Sequence, residues 1–465
     1  MRRLLSILPV ALTFATQAQD MKNSQEIPSP PPSYDMLRFN ENYSCLSNAA
    51  NQTDWFDPAK YMPIRPNDPS WYLTFGGEAR ERFESTDALN FGIGAAGDSY
   101  LLQRLGLLSD LHLGDRVRFF VEGISGLEIG NREAAPPVQR DPIDLAFAFM
   151  DVVPYLTAEE QLTLRMGRFG MSFGAGRLVA TRAPVNIPFR FDGFEALYSS
   201  PKWEATAFLT QPALDSGHID SEDHTTTFWG LYLTHWFDAP HLLGVDLYYF
   251  GIHRKDGVYA SGTGDEHRHS LGSRQFGLWH NWDWNTEEVV QVGKFADESI
   301  LAWTASFDSG YTWQIPGKPR LGLKANVTSG DTNPHDGALQ TFDTMYFKSG
   351  YFNDATLLRP ENIMDLHPNA SFQLSRAVSL DGGADWFWRY SRNDAVYAVP
   401  GFIAIPALHT ASSFVGTALD LNLNWQLQRH LNLQASYVHF FSGSYIHEAG
   451  GRDVNYVSTT LSFLF

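Results

Sequence analysis

From Trp71 to Phe465 the chain alternates apolar and polar residues with period two, in stretches separated by turn-forming residues. That period is a strand signal. In Trp71–Glu84 the positions Leu73, Phe75, Gly77 and Ala79 share one apolar face, and Thr74, Glu78, Arg80 and Arg82 share the other. In Tyr100–Leu113, Leu101, Leu105, Leu107, Leu111 and Leu113 oppose Arg104, Asp110 and His112. In Arg116–Ser125, Val117, Phe119 and Val121 oppose Arg118 and Glu122. Further strands are predicted around 145–153, 161–169, 190–199, 202–211, 225–236, 242–254, 267–281, 284–295, 299–312, 318–330, 361–375, 378–392, 413–427, 430–442 and 454–465. The last carries Val457, Thr459, Leu461, Phe463 and Phe465 on one face. Together these make about 18 strands, an even number, as bacterial outer-membrane barrels have.

Connection lengths sharpen the picture. Short links at Gly114-Asp115, Ser200-Pro201 and Gln428-Arg429 alternate with long ones at 85–99, 128–144, 170–189, 331–360 and 393–412. A transmembrane antiparallel β-barrel has this asymmetry, with short periplasmic turns and long extracellular loops. A soluble sandwich has no reason for it. One irregularity stands at Phe295–Glu298, where a short link falls in the place of a long one. Trp386, Trp388 and Trp425 fall on predicted outer faces, where an interfacial girdle places aromatics. The long loops 128–144 and 331–360 are the candidates for folding into the pore. The fold class is therefore all-β, with a barrel over 71–465, a periplasmic or pore-mouth segment over 19–70, and an export signal over 1–18. The signal consists of Arg2 and Arg3, an apolar core over Leu4–Ala15, and small residues near Ala18.

Composition changes the picture in three places. No apolar run of about 18 residues follows the N-terminus, which excludes helical membrane spans; a barrel hides its membrane signal because every second residue faces the lumen. The mean hydropathy is −0.25 and aromatics make up 14% of residues, which fits such a barrel. The formal net charge of −18 argues against nucleic acid as a partner, but leaves open which charges point inward. The single cysteine, Cys45, permits no intramolecular disulfide and lacks the preceding apolar segment of a lipid anchor.

Three patterns could carry chemistry. Gly170-Met171-Ser172-Phe173-Gly174 matches the G-x-S-x-G of a hydrolase, but Pro184 and Pro188 follow with no helical pattern, whereas a nucleophile elbow needs a helix behind the serine. No enzyme is expected. Among the 15 histidines, His267 and His269 show no spacing that resembles a zinc site, so no resident metal or cofactor is expected. Asp331, Asn333 and Asp336 offer oxygen ligands for calcium in an external loop, although a polar loop explains them as well. The third pattern is basic. Arg80, Arg104, Arg118, Arg165, Arg274, Lys324 and Arg389 project from predicted lumen faces, alongside Glu78, Glu122, Asp246 and Asp385. Rings of Arg and Lys inside a barrel select anions, and the planar guanidinium fork suits carboxylates.

The residues also resemble the alginate export porins, a family of 18-stranded outer-membrane barrels. The likeness runs through Tyr34–Asn42, Asp57–Tyr61, Gly76–Arg82, Gly167-Arg168, Phe173–Val179, Arg182, Asn186 and Phe191-Asp192-Gly193. It continues through Ser329-Gly330-Asp331, Asn333-Pro334, Asp336, Thr341-Phe342, Phe387-Trp388-Arg389 and His439–Gly443. Two departures are visible: Phe169-Gly170-Met171 stands where a more polar stretch is expected, and the last strand carries no arginine, Arg452 lying in the loop before it. The resemblance implies passive passage of an anionic polysaccharide or acidic saccharide through an electropositive constriction. It implies a pore-lining role for Lys60, Arg80, Arg168, Arg177, Asp192 and Arg389, to which the lumen-face reading adds Arg104. Outer-membrane lipid and periplasmic export proteins are the partners it implies, in a Gram-negative outer membrane. A general diffusion porin for other small solutes is the alternative.

Overall fold

The structure is a computed structural model that describes residues 33–465, apart from 132–135, 183, 217–218, 220, 240, 400–401 and 408–411. The expected export signal lies outside the described residues. Eighteen antiparallel strands form one closed barrel. In chain order they are β1 (Trp71–Thr86), β2 (Asp98–Leu113), β3 (Val117–Ile129), β4 (Asp141–Leu156), β5 (Gln161–Phe169) and β6 (Phe191–Ser199). Next come β7 (Trp203–Pro212), β8 (Thr226–Trp236), β9 (Gly244–Tyr259), β10 (Gly262–Trp279), β11 (Trp282–Phe295) and β12 (Glu298–Thr312). The last six are β13 (Arg320–Thr328), β14 (Ile363–Gln373), β15 (Val378–Arg389), β16 (Phe414–Gln428), β17 (Leu431–Ser442) and β18 (Val454–Leu464). Every predicted strand has its counterpart here.

Each strand pairs with its sequence neighbour, and β1 pairs with β18 from Glu78↔Leu464 to Thr86↔Tyr456 to close the cylinder. Closure removes the free edges, so every spanning backbone amide finds a partner without water. Just below that seam, Gly77 and Phe465 exchange both backbone hydrogen bonds, at 2.9 and 3.0 Å. The close approach explains Gly76-Gly77: a Cβ on Gly77 would lie 2.8 Å from the Phe465 ring, and one on Gly76 would lie 2.8 Å from the Phe465 carbonyl oxygen.

The alternation reads as two environments. Leu105, Leu107, Val121, Leu247, Leu271, Leu301 and Leu421 point outward to lipid, while Thr74, Arg80, Asp110, Asp246, Arg268 and Asp385 point inward and are buried. Among the described residues, no helix is long and apolar enough to cross a membrane.

Two connections at the long-loop end are two-residue turns, Ala260-Ser261 and Ala296-Asp297. The second was anticipated. The first corrects the reading of 255–266 as loop: β9 and β10 stay paired to Tyr259↔Gly262, past a bulge between Arg254 and Gly257. The loops in the lumen include one not singled out for that role in the sequence. Residues 329–362 enter it and meet the loop 170–190, which is bonded in turn to the 128–144 loop through Ile187 N–H to Val138 C=O at 3.0 Å and Asn186 Nδ2 to Gln139 C=O at 2.8 Å. Loops 170–190 and 329–362 pair in parallel, with Val179 opposite Tyr346, and exchange Tyr346 N–H to Leu178 C=O and Ala180 N–H to Tyr346 C=O, both at 2.8 Å.

The lumen is consequently two-sided. Along β2–β10 it is packed with rings: Phe173 stacks against Tyr232 at 4.9 Å and lies near Phe208 and Phe250. Phe39, from the segment before β1, meets Phe120, Phe147 and Phe149 edge-on. Along β14–β17 the inward positions are Asp381, Gly383, Asp420, Asn422 and Ser436, several of them half-exposed. Above this polar wall, Phe347, Tyr351 and Phe352 form an apolar cap with Phe387, Val415 and Phe440.

Candidate functional site within the lumen

The arginines expected to line the pore are inward, but they do not form a single ring. Arg80 and Arg104 sit opposite each other on β1 and β2. Arg80 donates to the carbonyls of Pro184 and Val185 at 3.2 and 2.9 Å and to Asn186 Oδ1 at 3.1 Å. Arg104 bonds Glu78 at 2.8 Å and reaches the Val185 carbonyl at 3.3 Å. Both therefore hold the 170–190 loop. A cavity of about 230 Å³ opens beside them, lined by Arg38, Glu78, Arg104, Glu122, Phe147 and Thr181 among others.

Arg168 and Asp192 face each other across β5 and β6 and form a bidentate pair at 2.8 and 2.7 Å. Arg389 is 1% exposed, lies 3.7 Å above the Tyr445 ring, and donates to the carbonyls of Arg392 and Ser412. It braces the loop after β15. Lys60 sits in the short helix Asp57–Lys60, its ammonium donating to the hydroxyls of Tyr34 and Tyr43 at 2.8 and 3.1 Å. Burial brings its pKa down to about 8.

A further cationic group joins Arg177 and Lys324, both expected inside the pore, to Lys348, which the sequence pattern missed. Arg177, on the inward loop, bonds Glu287 at 3.0 Å, Asn326 Oδ1 at 2.8 Å and Tyr351 Oη at 2.7 Å. Lys324 from β13 donates to the Tyr351 carbonyl at 2.6 Å, 4.5 Å from that residue's ring centre. Lys348 lies 6.0 Å from the same ring. Its backbone N–H bonds the Gly176 carbonyl, but its ammonium has no acceptor among the described residues. Burial, followed by the charges of Lys324 and Arg177, brings the Lys348 pKa down to about 7. Three cations thus converge on Tyr351 where the two inward loops meet. Neither lysine has a carboxylate within salt-bridge distance among the described residues. Lys324 was legible from strand alternation; Lys348 and Tyr351 lie in an aperiodic loop that gave no signal.

Ser172 is exposed on a loop with no helix behind it. Asp331, Asn333 and Asp336 each accept a nearby backbone amide of their own loop.

Comparisons with known proteins agree with this architecture. The chain is similar in fold to OccD3 (OpdP) of Pseudomonas aeruginosa, with a TM-score of 0.58 and 14% identity over 88% of this chain and 93% of that one. OccK2 (OpdF) of the same organism, solved with glucuronate, matches at 0.56 and 11% over 84% and 96%. OccAB1 of Acinetobacter baumannii matches at 0.56 and 12% over 88% and 99%. A comparison with curated protein sequences finds no match. The family model described as alginate export matches residues 71–460, the whole barrel but for its last few residues. This chain belongs to the alginate export family: it is an outer-membrane porin of a Gram-negative bacterium, a channel rather than an enzyme.

Proposed function

We propose that the channel passively conducts acidic saccharides, alginate-like oligo- or polyuronates among them. The observation that carries this reading is the convergence of Arg177, Lys324 and Lys348 on Tyr351, with the Lys348 ammonium left without an acceptor. A uronate carboxylate is a natural partner for that ammonium, and the adjacent aromatic face offers an apolar surface to a sugar ring. Few contacts, each weak, suit conduction, because the solute must leave as well as enter. Arg80 adds positive charge to the wall, held by loop carbonyls, whereas Arg104 and Arg168 are balanced by Glu78 and Asp192. One structural neighbour was solved with glucuronate, so this barrel architecture accommodates a uronate in that protein.

The test is ion selectivity of the purified porin in a planar bilayer, with oligouronates as blockers. Anion preference and concentration-dependent block are expected, with block weakened about tenfold by Lys324→Gln combined with Lys348→Gln. Cation preference without block would overturn the reading. That outcome would favour a general diffusion porin, a reading supported by the Asp365, Asp381, Asp385 and Asp420 carboxylates on the adjoining strands β14–β16.

A further inference from the structure

We propose that the outward face of the β9–β10 hairpin binds one divalent transition-metal ion between His253, Asp265 and His267. The register places His253 directly opposite His267, and Asp265 is two residues from His267 on the same face. Directly opposed side chains in an antiparallel pair have Cβ atoms about 4.5–5.5 Å apart, with diagonal neighbours still in reach. Here the two imidazoles stack at 4.0 Å with 9° between their planes. Asp265 bridges them, with Oδ1 2.9 Å from His253 Nε2 and Oδ2 3.3 Å from His267 Nε2. One ligand atom from each residue lies within 4.8 Å of the other two. Side-chain exposures of 30%, 55% and 53% leave the groups free to make the small rotations that close a coordination sphere.

The ligand set decides the class of ion. Two imidazoles and one carboxylate suit Zn²⁺, Co²⁺, Ni²⁺ or Cu²⁺, whereas Ca²⁺ and Mg²⁺ favour all-oxygen sites. Three protein ligands leave a fourth position for water or an external group. The charged surroundings are simple. Lys294, exposed on β11 opposite His267, is the cation facing the site and can swing into solvent. The next histidine, His269, is committed to Tyr249 at 2.8 Å. Lys255 and Asp256 lie beyond, in the bulge of β9. The site's height is also informative. Leu271, the last strongly exposed leucine of β10, is 60% exposed, and His267 lies four residues further on, about 13 Å along the strand. The triad therefore sits above the hydrocarbon boundary, in contact with the aqueous and headgroup layer. A bound metal would staple the two strands where neither lipid nor a neighbouring loop supports them.

The experiment uses the full chain, tag-free, in detergent micelles. Zn²⁺ is titrated in competition with a chromogenic chelator, and Co²⁺ uptake is followed by its visible absorption. One equivalent is expected for the wild type, with at least a tenfold loss of affinity in His253→Ala and in His267→Ala and a smaller loss in Asp265→Asn. Because imidazoles must be neutral to ligate, uptake is expected at pH 7.5 and not at pH 5.5. Heat-modifiable migration on gels confirms that each variant is a folded barrel; the positions are on its outer surface. The proposal is overturned if the double variant His253→Ala/His267→Ala takes up the same equivalent with the same affinity, or if Ca²⁺ displaces the ion as readily as Zn²⁺ does.

Discussion

Among the described residues, the Arg80 guanidinium donates to three acceptors of one loop, residues 184–186. Removing it should loosen that loop before it changes the pore's charge. Arg80→Ala is expected to increase open-channel noise and mean conductance in single-channel recordings, with a smaller change in selectivity than Lys348→Gln. Arg168 behaves differently, because its partner Asp192 is a fixed carboxylate on the next strand. Asp192→Asn should cost about 3 kcal/mol, the lower end for breaking a buried pair because Asp192 retains partial contact with water, read as a lower urea midpoint in lipid vesicles. Lys348 carries a pH dependence. Its depressed pKa, about 7, means that it is charged below that value and loses its proton as pH rises through it. Anion preference is therefore expected to fall between pH 6 and pH 8, and Lys348→Gln to remove that change. Strand alternation revealed which residues of the barrel wall face inward, since inward and outward are one bit per position. It could not reveal which carbonyl or carboxylate each arginine finds, because those partners come from aperiodic loops far away in sequence.

At the level of elements, the strands were legible nearly to their ends because lipid on one side and lumen on the other impose strict alternation. The pattern failed at the β9–β10 hairpin. Between the predicted strand ends the outward positions include Lys255 and Asp265 rather than leucines, so a paired strand there reads as a loop. It failed again for 170–190, whose Met171, Phe173, Leu178 and Ile187 are apolar without a period. Such residues cannot be exposed together in water at no cost, and inside the barrel they bury against Phe208, Phe228 and Phe250. Phe173→Ala, which empties the stack on Tyr232, is expected to destabilise this loop's seating by about 3 kcal/mol, seen as faster proteolysis within 170–190 while the barrel stays intact.

For the whole molecule, the consequence is a lumen filled on one side and polar on the other. The alginate export likeness implied a barrel and an acidic cargo but gave no hint of this division. Solute is expected to pass below the loop cap along the polar side of the lumen, β14–β17, where Asp381 and Asn422 are partly exposed beside Ser436. Asn422→Trp is expected to cut single-channel conductance by more than half, while leaving the folded, heat-modifiable species unchanged.

Arg38 adds an order of events to this architecture. Its Nη1 donates to the Gly77 carbonyl at 3.1 Å and its Nη2 to the Phe465 carbonyl at 2.9 Å, straddling the join between the first and last strands. Those two acceptors are brought side by side only when β18 meets β1. The docking place of the segment around Arg38 is thus created by closure itself, and the segment can lock in only once the cylinder is complete. It works as a latch that reports a finished barrel, which ties the docking of this segment to closure of the cylinder.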